Sequence, residues 1–242
     1  MIDLHTHILP GLDDGSTGVA QSVEMAKIAV DCGIRAMAVT PHCIDDRRID
    51  IRAALALLRD ALEEAKIPLK LYPGMEIMGT PETARMLLEK RLLTINGSRY
   101  PLIEFAFKSS GEVETSILSQ VIDAGFTPVV AHPERYSYVQ DDPSILNLWK
   151  KMGCEFQVNR GSYIGHFGER AKTLTYEMTA RGFTTIVATD AHSDHHRIPF
   201  MRDVRNILER EFSPIAAQYL LRQNPLRILK NEELPAIEPD WF

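Results

Sequence analysis

Apolar residues follow two rhythms that alternate along this chain. Short apolar runs over 2–7, 34–41, 69–77, 101–107, 127–132, 154–159 and 184–190 predict strands buried on both faces, as in a parallel sheet. Between them the apolar positions recur at helical spacing. Val19, Val23, Ala26 and Val30 fall at i, i+4, i+7 and i+11, and Ile51, Leu55, Leu58 and Leu62 repeat the pattern over 50–66. Further helices are expected over 81–91, 113–124, 143–152, 168–181 and 200–212. Gly33, Gly125, Gly153 and Gly182 each stand between a helical pattern and an apolar run. A glycine there predicts a left-handed residue that ends the helix. Strand and helix alternate about seven times, which predicts a parallel α/β fold. Unequal spacing between the units argues against a solenoid.

The chain has 242 residues, 45% hydrophobic and 25% charged, as expected of one globular α/β barrel-sized domain. That domain is expected over 1–233. A tail over 234–242, with Pro235 and Pro239, is expected to lie on the surface or on a partner; its Trp241-Phe242 end could pack on its own domain or on a second copy in a homo-oligomer. With 27 basic and 33 acidic side chains the net charge is -6, and no basic stripe is present, so nucleic acid is not an expected partner. No run is apolar enough to span a bilayer, and the first residues show no basic region followed by a long apolar run, so a leader is not expected. Cys32, Cys43 and Cys154 are an odd number without zinc-finger spacing, so no disulfide framework is expected and a reducing cytoplasm is the natural compartment.

Chemistry enters at the strand ends, where α/β barrels carry their active sites. The first strand ends in His5-Thr6-His7, with the two imidazoles on one face of the strand. Later strands end in Thr40-Pro41-His42, Gly74-Met75-Glu76, Ile103-Glu104-Phe105, His132-Pro133-Glu134-Arg135, Gln157-Val158-Asn159 and Asp190-Ala191-His192. Taken singly, each polar residue reads as a hydrogen-bonded core residue. Taken together, histidines and carboxylates gathered at one end of one sheet point to metal binding, because a buried carboxylate such as Glu104 is costly unless paired or metal-bound. The turn Leu12-Asp13-Asp14-Gly15 adds a further carboxylate, and spacing alone does not choose between Asp13 and Asp14. The other three histidines, His166, His195 and His196, read as solvated loop residues, with His195 and His196 near enough in sequence to Asp190 and His192 to be secondary candidates for supporting them.

Those stretches together resemble the PHP (polymerase and histidinol phosphatase) superfamily. Within it the chain is most similar to the bacterial metal-dependent tyrosine-protein phosphatases associated with capsule and exopolysaccharide synthesis. The resemblance runs from Met1 to about Leu229. It implies a distorted (β/α)7 TIM-like barrel holding three divalent metals, manganese foremost, with iron, zinc or magnesium as alternatives. Carried over by position, it places His5, His7, Glu76 and Asp190 on one metal. Glu76 bridges to a second held by Glu104 and His132, and Asp14, His42 and His192 hold the third, so Asp14 is preferred to Asp13. Arg135 matches a phosphate-binding arginine, and Arg197 is the second candidate. The implied activity is hydrolysis of phosphotyrosine by a metal-activated hydroxide, on the tyrosine-rich tail of a partner kinase. Compared with such relatives, the stretch Lys108 to Glu112 is short.

Four other readings compete. Cys154 and Arg160 stand in the C-x5-R frame of cysteine-dependent phosphatases, but the residues between lack glycine and alternate like a strand. A PHP-type histidinol phosphatase would use the same metals on a small amine-bearing substrate. An amidohydrolase-type enzyme would bring a carboxylated lysine at a strand end, and none is found there. A non-enzymatic metal-stabilised scaffold would have lost ligands, whereas the set here is complete.

Overall fold

The structure, a computed structural model, describes residues 1–43 and 51–242. The strand positions follow the apolar runs, with two departures. After β1 (Ile2–Asp3), the second run carries β2 (Ala36–Val39), and a further strand, β3 (His42–Cys43), follows beyond its end at Pro41; the third run divides into β4 (Lys70–Pro73) and β5 (Glu76–Met78). The breaks fall at Pro41, which has no N–H for a ladder, and at Gly74. A Cβ at Gly74 would come within 3.1 Å of the Thr40 methyl, so the glycine lets the two breaks pass close to each other. Beyond them run β6 (Leu102–Glu104), β7 (Val129–Ala131), β8 (Glu155–Asn159) and β9 (Ile186–Ala188).

All pairings are parallel, in the order β1-β2-β4 for one sheet and β3-β5-β6-β7-β8-β9 for the other. The two sheets are stitched where the chemistry-bearing residues lie. Thr6 bridges Ala191, Asp190 N–H donates to the His5 carbonyl (2.9 Å), and His7 N–H donates to the Ala191 carbonyl (2.8 Å). On the other side Thr40 N–H donates to the Thr6 carbonyl (2.8 Å). Regular β1 is therefore two residues long, and the His5-to-His7 segment is held by these cross-sheet bonds instead.

The longer helices match the periodic segments: α1 (Val19–Cys32), α2 (Ile51–Glu64), α3 (Thr83–Leu88), α4 (Glu112–Asp123), α6 (Ile145–Met152), α8 (Glu169–Ala180) and α9 (Arg202–Ile207); α5 (Ser137–Asp141) and α7 (Arg160–Tyr163) are short. Residue 50, the expected start of α2, lies outside the described residues. Gly33, Gly125, Gly153 and Gly182 all have positive φ, as the helix-to-strand joints require. After α9 the chain continues through π-helical turns at Leu208–Phe212 and Tyr219–Gln223, with α10 (Pro214–Gln218) and α11 (Asn224–Leu229). Expectation from periodicity stopped at 212.

Most of the core packs strand residues such as Ile103, Val130, Phe156 and Val187 against the helices. A smaller cluster joins Leu102, Val129 and Ile186 to Ile228 and Leu229 of α11. The last residues lie on the chain's own surface. Phe242 N–H donates to Asn147 Oδ1 (3.1 Å), Asp240 N–H to the Arg181 carbonyl (2.8 Å), and the Phe242 ring meets Phe183 at 4.9 Å. Among the described residues no helix is long and apolar enough to cross a membrane.

Candidate metal centre

Parallel register carries the strand-end residues to one place, because register partners in neighbouring strands face the same side. His42 is paired with Glu76, and Glu76 with Leu102, while Met78 is paired with Glu104. His5 and His7 arrive from the segment stitched between the sheets, and Asp190 and His192 from the end of β9. Three groups of converging ligand atoms result: His5, His7, Glu76 and Asp190; His42, Glu76 and Glu104; and His7, Asp14, His42 and His192. Eight of the nine expected ligands fall in them. The ninth, His132, is not in the second group but meets Glu76 through its other oxygen, with Nε2 2.8 Å from Oε1. His42 occupies the place expected of it and also faces the second group, with Nδ1 2.7 Å from Glu104 Oε1 and 3.1 Å from Glu76 Oε2.

The surrounding hydrogen bonds fix which nitrogen is free in the His5 and His7 imidazoles. His5 Nδ1 donates to Gln157 Oε1 (2.8 Å), and His7 Nδ1 donates to Asp13 Oδ2 (2.6 Å). In the neutral imidazoles both Nε2 atoms then carry lone pairs, and these nitrogens lie 3.2 Å apart. Glu76 Oε2 lies 3.1 Å from His5 Nε2 and 3.2 Å from His7 Nε2, and Asp190 Oδ1 lies 3.4 Å from each. Glu76 Oε2 is buried and accepts no hydrogen bond despite these neighbours. Lone pairs converging on one buried point without donors are strongly unfavourable unless a cation sits among them. The donor set is mixed nitrogen and oxygen, which suits manganese, iron or zinc. The residues therefore fit divalent metal ions.

Electrostatics points the same way. Burial drives Glu76 and Asp190 toward the neutral acid, yet the neighbouring imidazoles, and Arg197 at Asp190, hold both well below the usual carboxylate range. Burial likewise disfavours charged His5 and His7, but Glu76, Asp190 and, for His7, Asp13 outweigh it and raise both. Burial and the field of His7 lower His192 to about 4. A site made of carboxylates held ionised, with some imidazoles drawn toward protonation, is one that demands positive charge.

Asp13 and Asp14 part company in the structure. Asp13 Oδ2 accepts from His7 Nδ1 and from His42 N–H (2.9 Å), and its Oδ1 accepts from Gly15 N–H (3.0 Å). Asp14 is 67% exposed at its side chain and turns Oδ1 to His42 Nε2 and His192 Nε2, at 3.5 Å each. Asp14 is thus placed among ligand atoms, and Asp13 orients their holders. A Cβ at Gly15 would fall 2.2 Å from the His7 carbonyl oxygen, which explains the glycine after the two aspartates.

Two arginines close the rim. Arg135 Nη1 donates to Asp190 Oδ2 (3.2 Å), and Arg197 pairs with the same oxygen and approaches His192 Nε2 (3.3 Å). Asn159 Nδ2 also donates to Asp190 Oδ2 (2.7 Å), leaving Oδ1 to face the histidines. Gln157 links Asn159, His5 and the His132 N–H. Glu134, buried, accepts from Asn159 N–H (3.0 Å) and Ser162 Oγ (2.6 Å), tying the ends of β7 and β8 together. His132 (φ 35) and Asp190 (φ 52) both take left-handed backbones, a strain retained at sites where side-chain direction matters. Gln157 and Asn159 were visible as strand-end polars, without an assigned role. The aromatic neighbours of Arg135, Phe107 and Phe167, had no signal, since they come from loops far apart in sequence.

His166, His195 and His196 are exposed, and His195 Nδ1 bonds Asp194 (2.8 Å) rather than a member of the site. The C-x5-R reading fails. Cys154 is fully buried just before β8, opposite the histidine end, where burial pushes its thiol far up. Arg160 is spent on Asp203 through Nε and Nη2.

The CpsB/CapC family model, described as capsular polysaccharide synthesis, matches residues 1–230. The chain is 34% identical over 238 residues to tyrosine-protein phosphatase YwqE of Bacillus subtilis, spanning 97% of this chain and 93% of that protein. It is 29% identical over 241 residues to tyrosine-protein phosphatase CpsB of Streptococcus pneumoniae, spanning 96% and 99%. A solved structure reported with YwqE and CpsB as unique metal-dependent tyrosine phosphatases superposes with a TM-score of 0.94 at 33% identity, covering 100% of this chain and 99% of that one.

Proposed function

We infer that this chain, which belongs to the CpsB/CapC family of capsular polysaccharide synthesis, is a metal-dependent protein-tyrosine phosphatase. The observation that carries the reading is the buried Glu76 oxygen, left without a hydrogen bond among the Nε2 lone pairs of His5 and His7. The two stitched parallel sheets are read as a distorted (β/α)7 barrel, with the Thr6–Ala191 bridge joining its first and last strands.

Three divalent ions, manganese foremost, are assigned to the three groups. His5, His7, Glu76 and Asp190 hold one; Glu76, Glu104 and His132, with His42 beside them, a second; Asp14, His42 and His192 the third. Such ions neutralise phosphate oxygens and make hydroxide available near neutral pH. Arg135 and Arg197 offer planar forks of donors to the phosphate's remaining oxygens, and their shared contact with Asp190 aims them at the rim. A tyrosine leaving group has an unperturbed pKa of about 10, so its departure needs little protonation. The substrate is assigned as phosphotyrosine on the tail of a bacterial tyrosine kinase that controls capsule or exopolysaccharide synthesis.

Chelation followed by add-back of single metals tests the reading. Turnover of a phosphotyrosine peptide should vanish on metal removal and return with manganese, while histidinol phosphate stays a poor substrate. Full activity in rigorously metal-free protein would overturn the mechanism, and preference for histidinol phosphate would overturn the substrate.

A further inference from the structure

Arg135 does not stand alone at the rim. Its guanidinium carbon lies 4.7 Å from the centroid of the Phe107 ring and 4.1 Å from that of Phe167. Phe107 follows β6 and the ligand Glu104, and Phe167 lies between α7 and α8. Both rings are seated by the fold. The Phe107 carbonyl accepts from Ser137 N–H (2.8 Å) and from Ser137 Oγ (2.9 Å), which pins its backbone to the start of α5. Phe167 lies against Gly161, where a Cβ would stand 2.6 Å from its ring. Phe107 also meets the His132 ring at 5.9 Å. Yet Phe107 remains 43% exposed. A lone exposed phenylalanine elsewhere on the surface needs no explanation. This one is held in place at the mouth of a charged site, between an arginine and a histidine of that site.

We propose that Phe107 is a specificity-determining residue that selects an aromatic leaving group. The proposal rests on the phosphatase reading. A phosphate held by Arg135 puts the group esterified to it within reach of the Phe107 ring. An aryl ring there gains an offset or edge-on contact that an alkyl chain lacks.

The test compares phenylphosphonate with methylphosphonate, measured by isothermal titration calorimetry on manganese-loaded protein, alongside phosphotyrosine-peptide turnover. Wild type should bind phenylphosphonate the tighter. F107A should weaken phenylphosphonate roughly two- to tenfold and leave methylphosphonate unchanged, and F107W should keep the phenyl preference. F107L preserves apolar bulk, so it should fold if F107A does not, and it should lose the same preference. Equal weakening of both ligands would overturn the proposal, since Phe107 would then act only by supporting Arg135. Undiminished phenyl preference in F107A and F107L would also overturn it. Absence of peptide turnover in the wild type sinks the phosphatase reading. Turnover without any phenyl preference sinks the proposal alone.

Discussion

Replacing Asp13 and Asp14 one at a time should separate a holder of ligands from a ligand. Asp13 receives three hydrogen bonds, from His7 Nδ1, His42 N–H and Gly15 N–H, and its side chain is nearly buried. Asp13→Ala leaves those donors unmet and frees the His7 tautomer, so its Nε2 lone pair no longer has to face Glu76. Loss of an outer partner of a metal-binding histidine weakens metal affinity by about 10- to 100-fold. Leaving buried donors unpaired should also cost the metal-free fold about 1–3 kcal/mol. Asp14 is mostly exposed and, among the described residues, faces His42 and His192, so Asp14→Ala should leave metal-free stability within about 0.5 kcal/mol. Its effect should be on stoichiometry, one bound ion fewer even at saturating metal. Asp13→Ala should keep the full number of ions at saturation and need more metal to reach it. Elemental analysis after dialysis against graded free manganese gives the stoichiometry and the affinity. Urea melts of the metal-free variants give the stability. Loss of an ion in Asp13→Ala, with full loading of Asp14→Ala, would reverse the assignment of the two carboxylates.

His5→Ala should lose metal and turnover together while far-UV circular dichroism stays native, because the two sheets are stitched there by the His5 and His7 backbones rather than by the His5 ring. Cys154→Ser should retain turnover at a lower melting temperature, the new hydroxyl being buried in an apolar setting; lost activity with metals still bound would revive the thiolate mechanism. Removing residues 240–242 strips the Phe242–Phe183 and Lys151–Trp241 contacts and should lower stability by about 1–3 kcal/mol without changing manganese affinity, read by urea melts and calorimetry. Burial, partly offset by Thr189, raises Asp3 to about 6, above its unfolded value of about 3.9, so stability is fullest below about pH 4 and falls by about 3 kcal/mol as pH rises through 6. Urea titrations of metal-free protein should show that slope, and Asp3→Asn should remove it.

The candidate site was more legible in the sequence than the strands that carry it. His5, His42, Glu76, Glu104, Asp190 and His192 stood out because chemistry-bearing residues ended apolar runs, and parallel register brings such ends together. The strand breaks at Pro41 and Gly74 were readable in kind, since proline interrupts a ladder, but not in consequence. Where the chain goes after a break depends on packing between Thr40 and Gly74, which lie far apart in sequence. Helix α10 was missed although its signal was present. Ser213 before Pro214 is a capping residue ahead of a proline, and Ser213 Oγ accepts from Ala216 N–H (3.0 Å).

Asp190 shows why the rest could not be read locally. Its oxygens divide the work: Oδ2 gathers Asn159, Arg135 and Arg197, and Oδ1 is left facing His5 and His7. That division requires a left-handed backbone at Asp190, side chains from three separate segments of the chain, and the cross-sheet bond from its own N–H to the His5 carbonyl. Local spacing marks Asp190-Ala191-His192 as a candidate pair, but only the closing of the chain on itself decides which oxygen meets which partner. The same carboxylate therefore couples the histidines proposed as metal ligands to the arginines assigned to phosphate. Asp190→Asn should show this coupling. It should weaken manganese binding through Oδ1 and inorganic phosphate binding through Arg135 and Arg197, whereas Arg135→Lys should weaken phosphate alone. Calorimetric titrations with manganese, then with phosphate at saturating manganese, measure both. Unchanged phosphate affinity in Asp190→Asn would show that the arginines are aimed by other contacts.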